Sequence, residues 1–346
     1  MAGLFDLEFH EKKIKEYQPT LAKLDLVIDW EMFRETIEKA LYVEPKGAGG
    51  GPPFDKIMMF KILILQKYYN LSDEQTEFQI NDRTSFKQFL GLKIGDTIPD
   101  EKTIWHFKEQ LANKDLSKSL FEMFAVALMD KGIIAKEGSI VDATFVDVPK
   151  QRNSKEDNAD IKKGAVPLKF GKKDKNGKQS KLCQKDTDAR WMTKSGEKHF
   201  GFKDHINADE KTKLITKYSV TSAAPHDSTE IENIVDETDN RLHADSAYRS
   251  KEIEEHLKAI ECESFVHEKG YRGSPLTEQQ KESNNKKSKI RARVEHISGF
   301  MTNSMNNALY MRSIGIKRIK ESIGLLNLTY NLFRFEQLIR LEKVKI

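Results

Sequence analysis

Cysteine is nearly missing from this chain: two occur in 346 residues, Cys183 and Cys262, without a CxxC pair or a Cys/His cluster. That excludes a disulfide framework and a structural zinc, and leaves structural or surface thiols. Long apolar runs are missing too. No stretch approaches the roughly 20 residues of a membrane span, and acids and lysines interrupt the opening MAGLFDLEFHEKKIKEY before a signal-peptide core can form. The expectation is a cytoplasmic chain with no membrane partner. A strong charge of one sign is the third absence. The 58 Lys and Arg against 54 Asp and Glu leave a formal net charge of +4, too little to prove a polyanionic partner. What is present is 38% hydrophobic and 32% charged residues, enough for a sizeable core and, at this length, for more than one folding unit.

The small net charge hides an uneven distribution. Lysines and arginines crowd the chain from Lys150 to Lys203, including Lys155, Lys162, Lys163, Lys185, Arg190 and Lys198, with Phe170 and Trp191 among them. Such a segment can neutralise backbone phosphates and stack a base. A solvated loop kept soluble by its lysines fits the composition equally well. Upstream, Leu21 to Leu41 carries helical apolar spacing, and PKGAGGGPP (Pro45 to Pro53) breaks any regular element. The stretch FDKIMMFKILILQKYYNLSDEQTEFQINDRTSFKQFLGL then reads as two or three helices, with Ser72 and Gln75 at capping-box spacing. In TIPDEKTIWHFKEQL, Asp100 can cap a helix whose face is Ile104, Trp105, Phe107, Lys108 and Leu111. Residues 1–130 are thus expected to form an all-helical domain of helix-turn-helix character.

Beyond about residue 135 the pattern turns mixed. GSIVDATFVDV, HFGFKDHINAD, LITKYSVTSA, RLHADSAY and ESFVHEK read as strands. DSTEIENIVDETDN, capped by Asp227 or Ser228, reads as a helix, as do SKEIEEHLKAI and the part from about Lys289. The order β, β, β, α, β, α, β, α predicts an α/β unit over residues 131–346: an RNase H-like, retroviral-integrase-like mixed sheet with helices on both faces. The basic segment of about 149–200 is then an insertion after the first strand.

Three carboxylates stand out in that order. Asp142 sits inside the apolar run of the first strand, where an ionised carboxylate costs several kcal/mol unless cations pair with it. Asp245 ends a later strand. Glu295 lies on a helix whose apolar face is Val294, Ile297, Met301 and Met305, with Arg291 four residues earlier on the same face and small Ser298 and Gly299 letting the helix approach the sheet. Two aspartates at strand ends plus a glutamate on a later helix suit two divalent metals for phosphoryl transfer. Other residues carry weaker signals. Strand alternation puts Asp147 on the face opposite Asp142. Lys203 and His205 share a face and could meet a phosphate, although a satisfied surface pair explains them equally. His243 points to the same side as Asp245 and could support it. His296 projects about 100° from Glu295. Tyr248 and Trp191 could stack on DNA, or simply pack.

At this point the chain resembles the DDE transposases of bacterial insertion sequences, specifically the IS-five family. The resemblance rests on the GPPFDKIMMFKILILQ block, PDEKTIWHFKE, IVDATFVDVPKQRN, QKDTDARW, GFKDHINAD, HADSAY and IGIKRIKESIGLLNLTYNLFR, in that order and over nearly the whole length. Position by position it makes Asp142, Asp245 and Glu295 the catalytic, metal-binding acids, with Asp142 bridging two Mg²⁺ ions for which Mn²⁺ can substitute. It implies double-stranded DNA as partner, both the terminal inverted repeats and the target, a homodimer that pairs two ends, and a nucleoid-associated location in a bacterium. The helices of 1–130 would serve DNA binding and dimerisation. The family places a basic residue seven positions after the glutamate. Here that position is Thr302, which leaves strand positioning to Arg293, Arg312 or Lys317. Arg291, Lys203, His205, Arg190 and Trp191 complete the expected DNA contacts. Two alternatives stay open on the sequence: a metal-dependent nuclease that only hydrolyses, and a catalytically silent DNA-binding regulator.

Overall fold

A computed structural model describes residues 6–17, 19–44, 52–167, 170–173, 179–181, 184–194 and 196–344. Cys183 and most of PKGAGGGPP lie outside these residues. The N-terminal segment consists of helices α1 (Asp6–Glu16), α2 (Thr20–Val27), α3 (Arg34–Ala40), α4 (Lys56–Tyr69), α5 (Asp73–Asp82), α6 (Thr84–Leu90), α7 (Glu101–Asn113) and α8 (Leu116–Asp130). Local chemistry sets their ends. Asp55 accepts the Met58 N–H at 2.9 Å to start α4, and Asn70, with a left-handed φ of 50°, closes it. Ser72 then accepts from the Gln75 N–H and Asp100 from the Thr103 N–H, as their spacing predicts. On α7, Ile104, Phe107 and Leu111 are buried, but Trp105 is 50% exposed. One residue on from Ile104, it is turned about 100° away from the core face.

The remainder folds around a mixed sheet. In chain order it comprises β1 (Ser139–Asp147), α9 (Lys155–Lys162), the short pair β2 (Gly171–Lys173) and β3 (Gln179–Lys181), β4 (Arg190–Lys194), β5 (Glu197–Asp209) and β6 (Ile215–Ser222), then α10 (Ile231–Ile234), β7 (Arg241–His243), α11 (Lys251–Ala259) and β8 (Glu263–Ser264), and finally α12 (Glu278–Arg291), α13 (Glu295–Gly299) and α14 (Ile316–Arg340). The sheet order is β4-β5-β1-β7-β8, with β6 also paired to β5. β1 runs antiparallel to β5 and parallel to β7, and β8 is parallel to β7. Alternate residues of β1 feed two cores: Ile140 and Val146 join one cluster, Val141 the other.

Several expected elements are shorter than their sequence patterns. RLHADSAY is a strand only over Arg241–His243, after which Asp245 starts a 3₁₀ turn. DSTEIENIVDETDN forms a 3₁₀ turn and the four-residue α10, and its cap is His226 rather than Asp227 or Ser228. The basic segment is not a plain loop in its described parts. It holds α9, with a capping box between Ser154 and Asp157, and it supplies β4 to the sheet edge.

One feature organises the molecule. α14 is buried nearly all round, from Ile319 to Leu338, and packs on α2, α4, α7 and α8 as well as on β6. A single hydrophobic cluster therefore runs from Leu21 to Leu338 and spans both the helical segment and one face of the sheet. The N-terminus of α14 is capped from afar: Asp186 accepts the Gly315 N–H and Asp188 the Ile316 N–H, each at 2.9 Å. These acids belong to QKDTDARW, so the described part of that motif anchors a helix end, where negative charge is favoured. Asn331 clasps β6 by exchanging hydrogen bonds of 2.8 and 2.9 Å with the Ile215 backbone. Among the described residues no helix is long and apolar enough to cross a membrane.

Candidate active site

The parallel register of β1 and β7 pairs Ile140 with His243. Asp142 and Asp245 each lie two residues further on, so the two acids stand level, Asp142 within β1 and Asp245 just past the end of β7. Glu295 reaches them on a run of helical turns that begins with α12 and continues through a 3₁₀ turn, α13 and a π turn. Val294, Ile297, Met301 and Met305 are all buried and hold this run against the core. The expected aid from small residues is absent: a Cβ on Gly299 would meet nothing within 4 Å. Arg291 ties the acids together. Its guanidinium lies 3.6 Å from the Asp142 carboxylate and 3.2 Å from that of Glu295.

Burial, opposed by Arg291 and reinforced by the charges of Glu295 and Asp245, pushes the Asp142 carboxyl up to about 6. The three acids thus feel one another electrostatically, with one guanidinium between two of them. Asp245 also accepts the Ala247 N–H at 2.8 Å. Tyr248 is 1% exposed, which rules out the stacking on DNA considered for it. Its hydroxyl has no hydrogen-bond partner among the described residues, and burial with the charges of Asp142, Asp227 and Asp245 holds the phenol well above its ordinary value. His267 lies on the same side, its imidazole held low by burial and by Arg291 and Lys287, against the pull of Asp245. No pattern of spacing singles out His267, which follows the very short β8.

The other expected contacts divide sharply. Lys203 and His205 are neither open to a phosphate nor a surface pair. Both are buried: Lys203 donates to Asp227 and the Pro225 carbonyl at 2.7 Å, and His205 bonds Thr221 at 2.9 Å. β5 is covered on both faces, so alternation left no solvent side for them. His243 faces Glu210, 3.2 Å away, and stacks on Phe265 instead of supporting Asp245. Arg190 spends its guanidinium on the carbonyls of Thr187, Ala189 and Ile161. Trp191 is 44% exposed and leans on Phe200. Asp147 pairs with His199 on the face away from Asp142. Arg293 donates to the Glu210 carbonyl, exposed Lys317 reaches Asn113, and Thr302 turns its hydroxyl back to the Ser298 carbonyl.

A family model described as Transposase DDE domain matches residues 134–332, more than half of the chain. The chain belongs to the DDE transposase family. A second model, Transposase domain (DUF772), matches residues 8–110, and no solved structure matches the chain.

DDE transposases generally use divalent metals, and the carboxylates can be tested against that requirement. Three hard oxygen donors facing a common region are the right chemistry for Mg²⁺. Burial is the main cause of the raised Asp142 carboxyl, and a bound cation would oppose it as Arg291 does. Among the described residues no three acidic or histidine side chains are gathered closely enough to hold one ion, and Arg291 stands between Asp142 and Glu295. The donor set therefore suits divalent cations, provided that Arg291 yields its place.

Proposed function

We propose that the chain is a transposase of the IS-five type that binds the terminal inverted repeats of an insertion sequence, cleaves a strand there and joins it to target DNA. The observation that carries this reading is the level placement of Asp142 on β1 and Asp245 just past the parallel neighbour β7, with Arg291 linking Asp142 to Glu295. The sheet order, with β1 antiparallel to β5 and parallel to β7 and β8, supports an RNase H-like catalytic unit over 131–346. The helices of 1–130 are proposed to serve DNA binding and pairing of two protomers.

Asp142, Asp245 and Glu295 would hold the metals. Held there, two Mg²⁺ ions would supply activation of the attacking oxygen and neutralisation of charge on the leaving one. Asp142, level with Asp245 and linked to Glu295 through Arg291, would be the central acid of the three. Arg291 supplies a countercharge to Asp142 and Glu295 in the free protein and orients Glu295 along its helix. Tyr248 stays protonated and offers a buried hydroxyl donor beside the same acids.

The test uses a duplex carrying an element end, incubated with Mg²⁺ and target DNA. Wild-type protein is expected to yield nicked and joined products; Asp142→Asn is expected to retain the DNA complex and lose both. Joining by Asp142→Asn at the wild-type rate would sink the assignment, and nicking without joining in the wild type would leave a hydrolytic nuclease.

A further inference from the structure

Glu295 stands at the rim of an open groove of about 810 Å³ whose other charged lining is basic: Lys211, Lys213, Arg293, Arg334 and Lys343. These cations come from separate parts of the chain, namely the β5–β6 turn, the turn before α13, the last turns of α14 and the residues just after it. The turn is rigidly built. The Asp209 carboxylate accepts the N–H groups of Lys211 and Thr212 and the Thr212 hydroxyl. The Tyr330 hydroxyl donates to the Lys213 carbonyl at 2.8 Å and Arg334 to that of Thr212 at 2.7 Å. Lys213 itself sits in left-handed backbone, φ 62°.

Lys211 is paired with Glu137. Lys213, Arg293, Arg334 and Lys343 have no carboxylate partner among the described residues, and Arg293 and Arg334 donate to neutral oxygens instead. Burial first, and then the charges of Arg334, Arg293 and Lys343, holds the Lys213 ammonium below its ordinary value. Four like charges face one void and repel one another, a cost that an anion in the groove would relieve. An enclosed pocket would suit a small anion. An open groove with cations on several walls and an active-site acid at its rim suits a continuous polyanion that passes through.

We propose that this groove holds the phosphate backbone of the DNA duplex as it leaves the Asp142–Glu295 site, with Lys213, Arg293, Arg334 and Lys343 facing its phosphates. The inference rests on the transposase reading and deepens it by naming where the substrate runs. Residues that are scattered through the sequence between 213 and 343 thereby form one surface, which a search for basic clusters along the chain does not find.

The test is binding of a short labelled duplex by full-length protein, followed by anisotropy over a salt series. Lys213→Gln and Lys343→Gln, which touch no internal partner, are each expected to reduce the slope of log affinity against log salt by about one unit, and the double variant by about two. Thermal unfolding of the glutamine variants should be no lower than wild type, since repulsion is removed; Lys343→Gln, at an exposed position, reads out the groove even if residue 213 tolerates no change. Unchanged slopes in variants of a protein that binds duplex DNA would overturn the groove and leave the transposase reading standing. A wild-type protein that binds no duplex would overturn both. Displacement of the duplex by inorganic phosphate or a mononucleotide at matching concentration would make this a small-anion site and overturn the proposal.

Discussion

Asp204 occupies the least hospitable position for a carboxylate on β5. It is 1% exposed and receives one hydrogen bond, from Asn327 at 3.2 Å. Burial raises its carboxyl from 3.8 to about 7, only partly offset by that bond. The folded chain therefore keeps a proton that the unfolded chain releases near 3.8, and folding takes up a proton between those values. Stability then falls as pH rises from about 4 towards 7 and stays low above it. Asp204→Asn, which keeps a partner for Asn327, is expected to stabilise the protein by on the order of 2–4 kcal/mol near pH 8 and hardly at all near pH 4. Denaturant unfolding at the two pH values decides this; an equal effect at both would refute it. Asp142 was legible as an unusual residue because a carboxylate in an apolar run demands a reason. Lys203, Asp204 and His205 were not, because a strand buried on both faces leaves no period from which to tell a solvent side.

At the scale of elements, α14 shows what local sequence can and cannot encode. Its apolar length was readable as helix, yet Gly315 offers no side chain for a cap, and the acids that cap the helix come from QKDTDARW, far away in the chain. The short strands follow the same logic: β7 and β8 are three and two residues long, and only their neighbours in the sheet define them. Gly324 lies in the middle of α14, where alanine normally gains about 1 kcal/mol. Here a Cβ would come within 2.4 Å of the Ser117 hydroxyl and 2.5 Å of the Tyr218 hydroxyl. Gly324→Ala is expected to destabilise by about 1–3 kcal/mol, seen as a lower midpoint at unchanged m-value; a higher midpoint would mean that α8 and β6 give way without cost.

For the molecule as a whole, the decisive fact is that the core is continuous. Leu24, Phe60, Leu63 and Leu120 belong to the same cluster as Ile323, Leu328 and Leu332. Alternation and spacing indicate which residues seek burial but not which distant partner covers them, so the joining of the helical segment to α14 was not readable. A fragment ending at residue 130 is expected to lack cooperative thermal unfolding and to regain it when a peptide spanning 316–340 is added. Calorimetry that finds a sharp transition for the fragment alone would contradict this. The same continuity fixes an order of events during synthesis. The helices made first cannot complete their packing until α14 is made, about two hundred residues later. At synthesis speeds of roughly 5–20 residues per second they stay exposed for some tens of seconds, so a polypeptide cut short before residue 340 would never assemble them at all.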